Sequence, residues 1–356
     1  MTGQLKLSLD WPRAGGTPGT RALIRVHAED FEVEETLGFV ADGDGEHSLL
    51  QIEKRGLNTA DIVRGLSRLA AVPERDIGYC GLKDKHAVTR QWFSVGLAGR
   101  AEPDWSRLED DSIRVLQQHR HRRKLRRGVH RGNRFRLRLR ELRGERDELE
   151  KKLQQLKAVG VPNYYGEQRF GRAGGNLKGA LGWLTGSERT PRRQRKSLYL
   201  STARSFLFNE LLGARVREEC WQIPQPGDVC ILSGSSSFFA CDGSEPGIQE
   251  RAAAADLHLG LPLWGSGRRA ASAAIQAQEN ACIGAWSGLC QALEQQGLRL
   301  AYRPARLIAD DFCWQFCDDD QLQLNFELVS GGFATAVLRE LVLHDDNSTG
   351  EQASGE

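Results

Sequence analysis

Apolar residues recur at helical spacing between Thr59 and Ala71, where Ile62, Val63, Leu66, Leu69 and Ala70 share one face. Asn58 or Thr59 can cap this helix, and Pro73 closes it. A strand is predicted near His47–Glu53, after the turn-rich Asp42-Gly43-Asp44-Gly45. Two more follow at Ile77–Cys80 and Gln91–Val95, with the loop Gly81–Ala87 suspended between them. The run Arg134-Phe-Arg-Leu-Arg-Leu-Arg140 keeps a strict period of two. As a strand it sends Phe135, Leu137 and Leu139 inward and Arg134, Arg136, Arg138 and Arg140 to one outer face. Leu149, Leu153 and Leu156 then mark a helix over Asp147–Val159.

Further along, the texture changes. Gly166–Gly186 holds seven glycines, with Pro191 just after, and reads as entry into another module. Ser201–Glu219 and the alanine-rich Ala270–Gln296 are predicted helical, and Gln321–Glu327 is a strand by its alternation. From about His344 the chain is polar and acidic without periodicity, so residues 344–356 are expected to be disordered. No internal repeat is visible.

Length and composition bound this picture. A chain of 356 residues with 40% hydrophobic and 27% charged residues is expected to form about two globular domains. No apolar run reaches the ~18 residues of a membrane span, and the first ten residues lack a signal-peptide core. A cytoplasmic protein without membrane attachment is expected. The eight cysteines contain no Cys-x-x-Cys pair, so neither a metal nor a disulfide is assigned. Cys313 and Cys317, among Phe312, Trp314 and Phe316, are read as buried free thiols.

Net charge is only +2, yet its distribution is uneven. Between Arg120 and Arg143 twelve Lys/Arg face one acid, Glu141, so this segment carries +11 and the remainder of the chain −9. Such asymmetry points to a polyanion partner. An all-arginine strand face without matching acids would repel itself, which favours phosphate contact for Arg134, Arg136 and Arg138, with Arg126 and Arg127 upstream. A smaller basic cluster stands at Arg192, Arg193, Arg195 and Lys196.

Familiar catalytic motifs are missing: no phosphate-binding loop, His-Glu-x-x-His, Gly-x-Ser-x-Gly or dinucleotide fingerprint is present. What remains is a carboxylate among cations, Lys83-Asp84-Lys85-His86. Ionised at neutral pH, Asp84 could act as nucleophile or base toward a sugar or base carbon. Taken alone, the same four residues also suit a solvated turn.

The motif Gly81-x-Lys83-Asp84-x-x-Ala87-x-Thr89-x-Gln91 resembles the signature of the TruD family of tRNA pseudouridine synthases. Other family-like stretches follow in order: Gly132–Phe135, Pro162–Gly171, Ala203–Ser205 with Phe208-Asn209, and Phe326–Thr335 closed by Arg339–Leu341. The early His27–Phe31 matches as well, so the resemblance runs from about residue 20 to 343. Val329 and Ala28 depart from it, standing where the family often has proline.

The resemblance implies isomerisation of uridine 13 of tRNA to pseudouridine, with no cofactor, by a chain expected to be a monomer with no protein partner. It implies an α+β fold: a pseudouridine-synthase catalytic domain with a mostly antiparallel mixed sheet, interrupted by an inserted α/β TRUD domain. Residues 1–158 and 304–343 would form the catalytic domain and 159–303 the insertion. By position, Asp84 matches the catalytic aspartate, Arg25 its basic partner, Asn133 and Phe135 cleft residues, and Phe333 the aromatic that packs against the target base. Phe135 and Phe333 also suit a plain core, and Arg25 a plain surface. Two rivals stay open at this level, a non-catalytic RNA-binding or RNA-chaperone protein and a hydrolase or nuclease.

Overall fold

The protein is described by a computed structural model covering residues 7–346 apart from Ser244 and Pro246. Along the chain come β1 (Arg21–Ile24), β2 (Phe31–Thr36), β3 (His47–Arg55), α1 (Thr59–Ala70), β4 (Ile77–Tyr79), β5 (Val88–Gly96), β6 (Ile113–His121) and β7 (Gly132–Arg143). Next are α2 (Arg146–Val159), β8 (Val161–Pro162), α3 (Gly175–Leu184), α4 (Arg193–Arg217), β9 (Val229–Leu232), β10 (Phe238–Ala240), α5 (Ile248–Ala253) and β11 (Leu257–Leu263). The series ends with α6 (Ala273–Cys282), α7 (Ser287–Gln295), β12 (Ala301–Pro304), β13 (Arg306–Leu307), β14 (Asp310–Asp318), β15 (Gln321–Val329), α8 (Ala334–Leu341) and β16 (Leu343–Asp346). The fold is α+β, with a large mixed sheet.

Two compact units divide the chain. One comprises residues 19–150, 309–334 and the end from 342, and the other residues 1–18, 151–308 and 335–341. The first is built on a ten-stranded sheet whose main path runs β14-β15-β7-β2-β5-β3-β6, with β1, β4 and β16 attached beside it. Only β2–β5 and β1–β16 pair in parallel. Helix α1 covers one face, where Ile62 and Leu66 meet Leu50, Ile52, Phe93 and Val95 with no exposed surface. Its N-terminus is closed by Asn58, whose N–H donates to Asp61 at 2.7 Å.

Strand β7 carries the expected alternation, with Phe135, Leu137 and Leu139 buried. It sits between β2 and β15, which pair with it antiparallel over most of its length. Gly132 opens it at a point where a Cβ would overlap the carbonyl oxygen of Leu328 on β15. The close approach explains the glycine at the head of Gly-Asn-Arg-Phe.

The second unit has a four-stranded antiparallel sheet, order β10-β9-β11-β12, and a core drawn from α3, α4 and α7. Residues 7–18 belong here because Trp11 is buried among Tyr164, Phe170 and Phe206, with ring centroids 5.3–6.3 Å away. Its indole N–H donates to Glu210 at 2.7 Å. Arg339 on α8 donates to the Trp11 carbonyl at 2.7 Å and lies over the Tyr164 ring. The expected division, with 1–158 and 304–343 in one domain, therefore differs from the observed units at 1–18, 151–158, 304–308 and 335–341.

Other expectations change as well. The helix predicted over Ala270–Gln296 is two helices, parted at Ile283-Gly284, where Ile283 is buried and Trp286 meets Phe206 edge-on at 4.8 Å. Helix α4 starts at Arg193, eight residues before the apolar pattern shows, because its first turns are polar helix formers. The glycine-rich stretch contains α3, whose Gly179 lets Tyr199 of α4 approach its backbone. Cys313 and Cys317 are exposed, since β14 is an edge strand that turns Phe312 inward and the cysteines outward. All eight cysteines are free thiols. The tail expected to be disordered from 344 instead starts as a strand, Leu343–Asp346 pairing with Arg21–Ile24; residues 347–356 lie outside the described residues.

Replacing Gly132 by alanine should force β7 and β15 apart and lower stability by about 1–3 kcal/mol, read as an earlier urea midpoint with an unchanged m-value. An unchanged midpoint would show that the Leu328 carbonyl yields freely.

Candidate active site

Asp84 sits on the eight-residue connection between β4 and β5, its side chain one-quarter exposed. Its carboxylate meets Arg25 Nη2 at 3.1 Å and accepts the His86 N–H at 3.1 Å. Arg25 lies just past β1, with its own side chain only 4% exposed. Its φ of 54° is in the left-handed region, uncommon for a residue with a side chain and frequent at functional sites. The guanidinium carbon stands 4.2 Å above the Phe31 ring. Arg25 is therefore not surface charge: it is a buried cation aimed at a partly open carboxylate.

Three other side chains hold the loop. Thr59, at the first turn of α1, accepts the Lys83 N–H at 3.0 Å and donates to Gln91 at 3.2 Å. Gln91 in turn donates to the Gly81 carbonyl. Lys54, fully buried on β3, donates to the carbonyls of Leu57 at 2.6 Å and Asp84 at 2.9 Å. Burial pushes the Lys54 ammonium down to about 8, against the pull of Asp84 and Asp61 and with the push of Lys83. These contacts fix both ends of the loop's main chain and leave the Asp84 carboxylate facing outward.

Lys83 points the other way. Its Nζ meets Glu35 at 3.0 Å and donates to the Asn133 side chain. The Asn133 amide nitrogen reaches His130 Nε2 at 3.3 Å, and the other ring nitrogen lies 3.4 Å from Ser330 Oγ. Glu35 is only 1% exposed and accepts the Trp92 N–H at 3.0 Å. Burial lowers the His130 pKa, with Glu35 opposing and Lys83 adding to the shift. Burial pushes the neighbouring Cys80 thiol up to about 12, with Glu35 adding to it. Glu35, Cys80 and His130 present ligand atoms within 4.8 Å of one another. The Lys83 ammonium already faces the Glu35 carboxylate there, and its charge opposes a metal dication.

The residues expected from sequence thus fall into distinct places. Asp84 and Arg25 meet directly. Asn133 bonds to Lys83, the residue beside Asp84. Phe135 is buried, stacked on Phe326 at 5.3 Å and edge-on to Phe31 at 6.3 Å, so it supports the ring beneath Arg25. Phe333 is half-buried at the end of the turn that begins at Ser330. That turn is anchored by the Ser330 N–H, which donates to Arg131 at 2.9 Å.

The arginine face has the acids that the sequence reading did not supply. Arg134 lies 4.0 Å from Glu34 and 3.9 Å from Glu327, and Arg136 lies 3.7 Å from Glu32. Strand register places Glu32 and Glu34 of β2 and Glu327 of β15 beside them. Arg140 forms a bidentate pair with buried Asp30 at 2.8–3.0 Å. The arginine face is therefore matched by acids rather than self-repelling, and Arg140 is structural. Arg138 has no ion pair among the described residues, Arg126 is exposed, and Arg127 lies over Tyr79.

Residues 13–180 and 183–341 match the family profile described as tRNA pseudouridine synthase D (TruD). The chain belongs to the TruD family. A tRNA pseudouridine synthase D of Pseudomonas putida strain GB-1 is 47% identical over 337 residues, 95% of this chain and 96% of its own length. One from Methylococcus capsulatus is 46% identical over 336 residues, 94% and 95% of the two chains. A Methanosarcina mazei crystal structure described under the same protein name aligns with a TM-score of 0.70 at 20% identity, covering 93% and 95%. That last likeness supports the TruD fold.

Sequence reading missed the supports of the TruD loop: Glu35, Lys54, Thr59 and His130. Gln91 and Phe31 stood inside quoted motifs without a role. Only Lys54 left a local trace, a lysine following the apolar Leu49-Leu50-Gln51-Ile52.

Because the folded-state pKa of Lys54 lies below the ordinary 10.5, the unfolded chain binds the extra proton between pH 8 and 10.5. Stability from this group therefore rises with pH across that window. Relative to Lys54→Met, the wild-type unfolding free energy should climb by up to about 1.4 kcal/mol per pH unit there. A difference that stays flat would show that Lys54 does not titrate in this range.

Proposed function

We propose that Asp84 carries out the isomerisation of uridine 13 in tRNA to pseudouridine, as nucleophile at C1′ or as base toward the ribose. The reaction breaks the C1′–N1 bond and forms C1′–C5; C5 loses its proton and N1 gains one, so composition is unchanged. No redox partner or group donor is required. Its demands are a correctly placed carboxylate and a pocket for an extruded base.

The observation that carries this reading is the Arg25–Asp84 pair. Asp84 is held by a buried cation and by its own loop, yet stays open to an incoming nucleotide. In this reading Phe333 stacks on the target base, while Asn133 and Phe135 set the positions of Lys83 and Phe31. Aromatic stacking suits a base removed from its helix. Arg126, Arg127 and Arg138 contact phosphate, with smaller shares for Arg134 and Arg136, whose charges are partly met by glutamates. No helix of the described residues is long and apolar enough to cross a membrane, and we place the protein in the cytoplasm as a monomer acting on tRNA. The working division keeps 1–158 with 304–343 as the catalytic domain and 159–303 as the insertion, with the segments that pack elsewhere shared between them.

Asp84→Asn should bind tRNA with near wild-type affinity and release no tritium from [5-³H]uridine tRNA, since only isomerisation frees the C5 hydrogen. Tritium release by the variant would remove Asp84 from the chemistry. Replacing Arg126, Arg127 and Arg138 together by glutamine should flatten the log–log salt dependence of tRNA binding by roughly 0.7–0.9 per lost contact. An unchanged slope would take this surface off the RNA.

A further inference from the structure

The basic cluster Arg192–Lys196 has no part in the site around Asp84, and it opens helix α4 in the other unit. Beside it lies a cavity of about 440 Å³, lined among others by Arg193, Lys196, Ser197, Arg204 and Tyr165. Among the described residues no acidic side chain lines it. The helix has no acid in its first turn either, so its cations sit at the end where the helix dipole is already positive. Both features are unfavourable unless an anion joins them.

Arg204 sharpens the point. Its Nη2 donates to the carbonyls of Leu263 and Arg299, its Nε is buried without a partner, and no carboxylate pairs with it among the described residues. Burial lowers its pKa, which measures the cost of a guanidinium with only neutral acceptors. Two further cations lie over the ring of Tyr165, one of the lining residues. Arg169 lies 5.3 Å and Arg303 4.3 Å from the Tyr165 ring centre, and Arg169 donates to Ser201 at 3.0 Å. A phosphate oxygen accepting from Arg204 and flanked by Arg193 and Lys196 would bring an anion to a lining that offers only cations and neutral groups.

We propose that this cavity is a second RNA contact, a seat for a backbone phosphate of the tRNA distant in sequence from the Asp84 loop. The proposal rests on the reading of tRNA as substrate. The cavity is larger than one phosphate, and its apolar lining of Leu200, Leu263 and Leu298 suits the sugar attached to it. A free phosphate would use the cations and leave that lining empty.

The full-length Arg193→Gln/Lys196→Gln variant alters an exposed and a half-buried side chain, so the fold should persist, as thermal melting would confirm. Its tRNA affinity, measured from low to moderate KCl, should fall, and the log–log salt slope should shrink by roughly 1.4–1.8 for two lost contacts. Arg251→Gln, which breaks an exposed pair with Asp256, should leave the slope unchanged. An unchanged slope and affinity in the double variant would overturn the proposal. So would a variant that loses binding of inorganic phosphate while binding tRNA normally, since the cavity would then serve a small anion. If the double variant shows the smaller slope but the wild-type protein releases no tritium from [5-³H]uridine tRNA, the activity reading fails and the phosphate seat stands.

Discussion

The site depends on an imbalance of solvation between two partners. Arg25 has given up almost all of its water, while Asp84 keeps a quarter of its surface open. A guanidinium so deeply placed must have its carboxylate, because the penalty for an unpaired buried charge exceeds any other local term. The pair therefore pins the loop, and its strength is set by what keeps Arg25 dry: the Phe31 ring beneath it and Phe135 behind that ring. The left-handed backbone at Arg25 fits the same account, a local strain held in place by the packing around it.

Behind the loop a different chemistry operates. Lys83 carries the charge that Glu35 needs, and Asn133 relays the contact to His130 and the Ser330 turn. Every member except the turn is buried, so each polar group needs its neighbour to be present. Asp84 and Lys83 are adjacent in sequence yet serve opposite sides of the loop, one toward solvent and one toward the interior. Lys54 completes the arrangement by holding main chain rather than side chain.

Much of this was legible before any coordinates. Local periodicity gave α1 within one residue and the inward face of β7, because both are decided by neighbours within a few positions. The family resemblance set Arg25 as partner to Asp84, and the two side chains meet. What stayed hidden was pairing across distance. Glu32, Glu34 and Glu327 are far from Arg134 and Arg136 in sequence, and only strand register sets them side by side. The same holds for Glu35, Cys80 and His130, which share no spacing rule. Trp11 gave no sign that it belonged to a core assembled from residues more than 150 positions away.

The chain ends impose a demand on synthesis. Residues 7–18 and 335–341 complete one unit, while Arg21–Ile24 and Leu343–Asp346 form a parallel pair in the other. One unit lacks a part until residues 335–341 have emerged from the ribosome, and the other until Leu343–Asp346 has. Order of translation thus leaves both units open until late segments arrive, and closure must wait for contacts between residues near 21 and near 343. Until Leu343–Asp346 emerges β1 lacks its parallel neighbour, a state in which chaperone engagement would be most useful.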